Sequence, residues 1–288
     1  MAKKETNPTK SLKIPQLIIL SAKLCAFIST KLATTYAAKL FTTPIKHKVP
    51  KRELEMDNKS IKKTISVPAI DKNIITYQYG TSAHKILLVH GWSGRGTQLF
   101  KIADALLKNG YSSISFDAPA HGKSQGKTTI MSEFIHSILE IEKQFGPFEI
   151  AIGHSLGGMS VLNAIKDGLK AEKAIVIGSG DIVQDILDEF TSKLGLKPEM
   201  SIQLRNHFED KYLVKMDDFS AYKAAQKVKI PVLVIHDNDD PEVSVKAGIH
   251  IHENLENGLL FLTEDLGHRK ILGNQNVINK IITFIKSS

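Results

Sequence analysis

The chain has 288 residues, 42% of them apolar, which is enough for one large domain built on a sheet buried on both faces; its single cysteine, Cys25, excludes an intrachain disulfide. Its formal net charge of +8 is concentrated at one end: through Arg52 eleven Lys and Arg face one acid, Glu5, whereas the remainder carries 27 basic and 29 acidic residues, a net of −2. That distribution argues against a nucleic-acid-binding body and for a local attraction of the N-terminal arm to something anionic.

In chain order, residues 1–60 read as a basic arm and residues 61–288 as an α/β body. Within the arm, residues 14–41 are rich in Leu, Ile, Ala and Phe, and the pattern predicts one amphipathic helix. Ile14, Leu17, Ile18, Leu24, Cys25, Ile28, Leu32 and Tyr36 fall on one arc, opposite Gln16, Lys23, Thr30 and Thr34. Ser21 and Lys39 interrupt the apolar arc. No stretch of about 18 uncharged apolar residues exists, which argues against a spanning helix. Two readings stand side by side: the helix lies peripherally on a membrane surface through residues 1–52, or it packs on protein, either the body or another copy of the chain. Lys23 breaks the apolar core that a cleavable export signal requires. An organelle transit peptide stays open, because the arm is acid-poor, although it carries no Arg before Arg52. The lone cysteine suits a reducing cytoplasm, so the expected location is cytoplasmic, with peripheral contact at the inner face of the membrane.

Residues 64–67 and 74–79 predict a β pair, and strands follow at 86–90, 113–117, 150–153, 174–178, 232–236 and 259–263. Helical patterns intervene at 98–108, 130–145, 157–170, 244–253 and 276–285, each long enough for a crossover. Alternation of strand and helix implies a mostly parallel central sheet flanked by helices. Residues 182–229 break the alternation: they contain helix-like runs at 182–194, 200–208 and 222–227 and no strand signal. Phe190, Leu194, Leu196, Met200, Leu204, Phe208 and Tyr212 are the apolar residues there; most are expected to pack this insertion onto the body, the rest to face a pocket.

Gly153-His154-Ser155-Leu156-Gly157 follows an apolar run and precedes a helical one, the strand, sharp turn and helix of a nucleophile elbow. A serine hydroxyl needs a base, and the base needs a group to orient it. The strand-like run at 231–235 empties into His236-Asp237-Asn238-Asp239-Asp240, and the run at 259–262 empties into Thr263-Glu264-Asp265-Leu266-Gly267-His268. Acid and base candidates therefore stand just beyond carboxyl ends of strands, where open α/β sheets place their sites. Asp237, Asp239 and Asp240 all qualify as the acid, and Asp181, after the strand at 174–178, is a further rival. His90, His121, His154 and His236 read as loop-bonding residues, since only His268 follows the last strand. His250 and His252, spaced i and i+2, face apart on a helix, and no Cys-rich or H-E-x-x-H pattern appears, so neither metal nor cofactor is expected.

From about residue 65 onward the chain resembles the α/β-hydrolase family. His90-Gly91-Trp92 is similar to that family's oxyanion loop, and Asp117-Ala118-Pro119-Ala120-His121-Gly122-Lys123-Ser124 to its D-x-P-G-H-G-x-S turn, with Ala120 where Gly is usual; that change is expected to alter loop geometry. The segment 236–243 resembles H-G-x-x-D-x-x-V, with Asp237 in the Gly place, and Gly267-His268 resembles the family's G-H. The resemblance implies Ser155 as nucleophile, His268 as base, Asp240 as triad acid, an oxyanion hole made of the Trp92 and Leu156 amides, and a helical lid over 182–229. The implied activity is cleavage of a small-molecule carboxylic ester with an apolar portion through an acyl-enzyme. A thioesterase or amidase using the same triad, and a non-catalytic, membrane-associated hydrolase-like binding protein, are the alternatives.

Overall fold

The computed structural model describes residues 14–287. Lys3, Lys4, Glu5, Lys10 and Lys13 of the basic arm lie outside the described residues. The arm begins with two helices, α1 (Gln16–Ile28) and α2 (Thr30–Phe41), where the sequence pattern predicts one. The break is at Ser29, whose extended backbone ends α1 and whose side chain caps α2 by accepting from the Leu32 amide; serine competes for backbone donors in this way and favours helix starts over helix interiors.

The break re-aims the second helix, so the expected apolar arc does not survive as one face. Ile14, Ile18, Cys25 and Tyr36 are partly buried, but Leu17, Leu24, Ile28 and Leu32 face solvent. The buried side of the pair is made of small residues, Ala22, Ala33, Ala37 and Ala38, together with Thr34, which the pattern put on the polar side. Thr34 is accommodated because its hydroxyl donates back to the Thr30 carbonyl within its own helix. Ser21 and Tyr36 hydroxyls bond at 2.7 Å and tie the two helices together. Among the described residues no helix is long and apolar enough to cross a membrane.

Residues 42–60, which include the short helix α3 (Leu54–Lys59), are laid directly on the body. The Thr129 amide donates to the Thr42 carbonyl (2.8 Å), the Ile45 amide to Ser93 Oγ (3.0 Å), and Lys46 Nζ to the Ser124 carbonyl (2.9 Å). Glu53, only 2% exposed, receives Arg95 Nη1 at 2.8 and 2.9 Å and the Thr97 hydroxyl at 2.7 Å.

The sheet has eight strands, β1 (Ile61–Val67), β2 (Lys72–Tyr79), β3 (Lys85–Val89), β4 (Ser112–Asp117), β5 (Ile150–His154), β6 (Lys173–Ile177), β7 (Val232–Asp237) and β8 (Gly258–Thr263), in the spatial order β1-β2-β4-β3-β5-β6-β7-β8. β2 runs antiparallel to both of its neighbours, and every pairing from β4 through β8 is parallel. The crossovers are α4 (Phe100–Lys108), α5 (Met131–Phe145), α6 (Leu156–Lys166) and α10 (Val245–Glu253), with α11 (Gly267–Lys270) and α12 (Gln275–Lys286) closing the chain. Between β6 and β7 the chain forms instead α7 (Val183–Lys193), α8 (Glu199–Tyr212) and α9 (Ala221–Ala225).

The alternation of strand side chains decides which helices cover which face. Leu87, Val89, Ala151, Val176 and Val234 join Phe134, Ile138, Met159 and Leu162 in one core. Their sequence neighbours Ile86, Leu88, Ile152, Ile175 and Ile235 join Ile102, Leu106, Val277 and Ile281 in the other. Because both faces are covered, the inner strands are apolar throughout rather than alternating with polar residues.

The Glu53 contacts make the arm's end part of the folding unit. Glu53→Ala would strand a largely buried Arg95 guanidinium, and breaking such a pair typically costs about 3 to 5 kcal/mol. Urea unfolding of the full chain is expected to report a loss of that order, whereas breaking the solvent-exposed pair of Glu55 and Lys59 should leave the unfolding midpoint nearly unchanged.

Candidate active site

Ser155 sits between β5 and α6 with φ 54° and ψ −122°, a conformation L-residues rarely hold. The turn is tight enough that its neighbours must lack side chains. A Cβ on Gly153 would lie 2.3 Å from the Gly157 carbonyl oxygen, and one on Gly157 would lie 2.4 Å from the Val89 carbonyl oxygen. The Ser155 amide donates to the Ile177 carbonyl at 2.9 Å, which hooks the turn onto the end of β6.

The predicted acid and base meet at the same sheet edge. His268 Nδ1 and Asp240 Oδ2 are 2.7 Å apart, with the Asp240 carboxylate 1% exposed and the imidazole 6% exposed. Burial alone would raise the Asp240 pKa; the His268 hydrogen bond and charge, with the amides of Val243 and Glu242, outweigh it and hold the carboxyl below its ordinary range. The pair passes across the end of β6, where Gly178, at φ +54°, leaves room: a Cβ there would stand 3.3 Å from His268 Nδ1. Ser155 Oγ makes no hydrogen bond to another described residue. Catalytic hydrogen bonds are commonly long in the free protein and shorten around the reacting group.

The rival carboxylates are engaged elsewhere. Asp237 accepts from the amides of Asp239, Leu266 and Gly267 and from the Thr263 hydroxyl, so it braces the loop that carries His268. Asp239 accepts from the Asp265 amide, and Asp181 pairs with His250 and the Tyr222 amide. The one-residue slack among Asp237, Asp239 and Asp240 was not legible in the sequence; loop geometry separates them.

Histidines that read as loop residues prove to hold the site's backbone. His90 Nδ1–H donates to the Gly91 carbonyl at 2.7 Å, and the Gly94 amide donates to the same oxygen at 3.0 Å. These two bonds fix the peptide plane whose other end is the Trp92 N–H. On the far side of Trp92, the Ser93 amide donates to His121 Nε2 at 3.0 Å. Neither the Trp92 nor the Leu156 amide donates to another described residue, as an oxyanion hole requires. A Cβ on Gly91 would stand 2.9 Å from Ser155 Cβ, so this loop lies directly against the elbow. His154 Nε2–H donates to the His268 carbonyl at 2.9 Å and so fixes that residue's backbone.

Burial pushes the His90 pKa down to about 4 and the His121 pKa down to about 3, and it lowers His154 well below the ordinary value. The neutral form is also required by geometry, because Nε2 of His90 and of His121 each accepts a backbone N–H. Ala120 departs from expectation. It holds φ +65°, the conformation a glycine would take there without strain, and its amide bonds to the Gln125 carbonyl at 2.7 Å, so the turn keeps a glycine-like path despite the methyl group. Among the described residues no group of three or more His, Cys, Asp or Glu side chains is arranged to hold a metal ion.

Comparison with known proteins bears on this architecture of one reversed strand, β2, in an otherwise mostly parallel sheet. A family model for the alpha/beta hydrolase fold matches residues 85–179. The chain adopts the α/β-hydrolase fold. An esterase from Exiguobacterium antarcticum superposes with a TM-score of 0.63 at 18% identity, over 79% of this chain and 100% of that one. An esterase from Pyrococcus furiosus superposes with a TM-score of 0.66 at 16% identity, over 85% and 97% of the respective chains. A bromoperoxidase from Bacillus anthracis gives 0.61 at 20% identity, over 78% and 99%. No curated protein sequence matches the chain. In this α/β-hydrolase fold most of the apolar residues between β6 and β7 pack on the body: Leu194, Met200, Leu204 and Phe208 are buried in or against the core, Phe190 and Leu196 are half-buried against it, and Tyr212 is exposed.

The buried neutral histidines set the acid limit of stability. Below about pH 6.5 the unfolded chain binds protons that folded His90 and His121 refuse until about pH 4 and 3, so unfolding free energy falls as pH falls through this window. Urea titrations from pH 7 to 4 are expected to show that decline. His121→Asn should shallow its slope by about one proton.

Proposed function

We propose that the chain is a serine hydrolase that cleaves a carboxylic ester through an acyl-enzyme on Ser155. The observation that carries this reading is the 2.7 Å contact between His268 Nδ1 and the buried Asp240 carboxylate at the sheet edge where the strained Ser155 turn stands. The fold shared with two esterases supports it.

Each step has a residue suited to it. Ser155 Oγ attacks the ester carbonyl carbon while His268 Nε2 takes its proton. Asp240, bonded to Nδ1–H, keeps the ring in the tautomer that leaves Nε2 free and stabilises the imidazolium that forms. The oxyanion that develops is met by the amides of Trp92 and Leu156, a donor of this kind being worth about 3 kcal/mol in the transition state. His268 then returns its proton to the departing alkoxide, and water repeats the sequence on the acyl-enzyme. His90, His121 and His154 act as positioning residues, holding the oxyanion peptide and the backbone of the base.

Trp92, on the oxyanion loop, is 36% exposed and offers apolar surface beside the Ser155 turn. That surface supports an ester with an apolar acyl or alkyl portion, and p-nitrophenyl esters of rising chain length measure the preference directly.

A fluorophosphonate probe is expected to label the full chain at Ser155 and to leave Ser155→Ala unlabelled. Asp240→Asn should keep the fold and lower kcat by about 10⁴, because the amide favours the wrong imidazole tautomer. Undiminished turnover in His268→Ala would assign the base to another residue and overturn the reading.

A further inference from the structure

Helix α1 carries apolar residues on both of its sides. Ile18, Ala22 and Cys25 turn inward, Ala22 fully buried. On the other side Leu17, Leu20, Leu24, Phe27 and Ile28 recur at helical spacing and stand open to solvent, Leu17 80% exposed and Phe27 90% exposed. A helix apolar all round is expected where both sides are covered, and here one side has no partner. The stripe is neither a loose end nor incidental to the fold: α1 is tied to α2 by the Ser21 and Tyr36 hydroxyls, and its Lys23 stem lies over Gly195, at the turn between α7 and α8.

The arm's own charge is almost all of one sign. Between Glu5 and Glu53 the sequence holds no acid, and through Arg52 the segment has a net charge of +10. Lys23, Lys31 and Lys39 are exposed on α1 and α2. Exposed aliphatic side chains with a single Phe, on a helix in a lysine-rich segment, are the composition of a helix lying in a lipid interface. Protein hot spots draw instead on Trp, Tyr and Arg seated in pockets. We infer that the outer face of α1 docks the protein on an anionic lipid bilayer, with Leu17, Leu20, Leu24, Phe27 and Ile28 entering the acyl boundary and the arm's lysines held against the headgroups.

Docking in this orientation fixes more than the arm. Phe41, at the end of α2, meets the rings of Phe190 on α7 and Phe208 on α8 at centroid distances of 5.1 and 5.7 Å, and α2 lies along α8. The helical insertion between β6 and β7 is therefore carried on the same rigid unit as the lipid-facing stripe. The inference stands apart from the hydrolase reading, since it uses none of the residues assigned to chemistry.

The test is flotation of the full chain with phosphatidylcholine vesicles and with vesicles that also contain phosphatidylglycerol, comparing the unmodified protein with Leu24→Glu/Phe27→Glu. Both positions are exposed, so the double variant should keep its far-UV spectrum and its unfolding midpoint. The unmodified protein is expected to float with the anionic vesicles, less in added salt, and the variant's partition coefficient should drop tenfold or more, that is, at least about tenfold. Failure of the unmodified protein to float with either vesicle, or equal flotation of the two proteins, overturns the inference. So does a dimer in sedimentation velocity that the variant turns into monomer, which would assign the stripe to a second copy of the chain. Fluorophosphonate labelling of both proteins keeps the outcomes separate: lost labelling with intact flotation strikes the proposed chemistry alone.

Discussion

The site depends on one unfavourable piece of backbone. Ser155 holds φ +54° although it has a side chain, and such a residue keeps that conformation only where its surroundings leave no alternative. The surroundings here are specific. Its amide is captured by the end of β6, the carbonyls of Val89 and His90 press against Gly157, and Gly91 fills the space beside Ser155 Cβ. Three neighbouring strands thus converge on one turn. Relaxing the strain would require several of those close contacts to open together, which is how a folded core can store strain at a single residue.

Histidine is distributed around this turn with two distinct electrostatic fates. His90, His121 and His154 are buried without a carboxylate in hydrogen-bond contact, so desolvation keeps them neutral; both ring nitrogens of His90 and of His121 bond backbone groups, and His154 does so through Nε2 alone. His236 joins them, bonding the Val243 carbonyl at 3.0 Å, with burial lowering its pKa too. His268 alone among these bonds a carboxylate, that of Asp240 at 2.7 Å. Partner rather than burial separates His268 from the other four.

The N-terminal segment is bound to this arrangement at several points. Ile45 bonds the hydroxyl of Ser93, next to the Trp92 amide, and Glu53 neutralises Arg95 in the loop that follows. The arm's strong positive charge therefore does not mark a detachable tail: its last part is buried with the body, and its helical pair rests on the insertion between β6 and β7.

Much of this was legible from residue order alone. Strand and helix positions followed from local periodicity, because a strand buried on both faces is apolar throughout and a crossover helix repeats every three to four residues. The elbow followed from glycines spaced around a serine, since only that spacing relieves a local clash. What local pattern could not decide was anything set by contacts between distant segments. Which of Asp237, Asp239 and Asp240 reaches His268 depended on a one-residue difference in how two loops meet. That Asp237 braces the loop carrying His268, and that His121 holds the Ser93 amide beside Trp92, depended on groups brought together from separate segments. The helix pair was misread for the same reason: a cap at Ser29 outweighed a continuous apolar pattern, and packing on the body, not the wheel, chose which face to bury. Sequence by itself determined what each segment prefers locally; the tertiary structure decided which groups share a contact, because burial and hydrogen bonding are settled between segments and not within them.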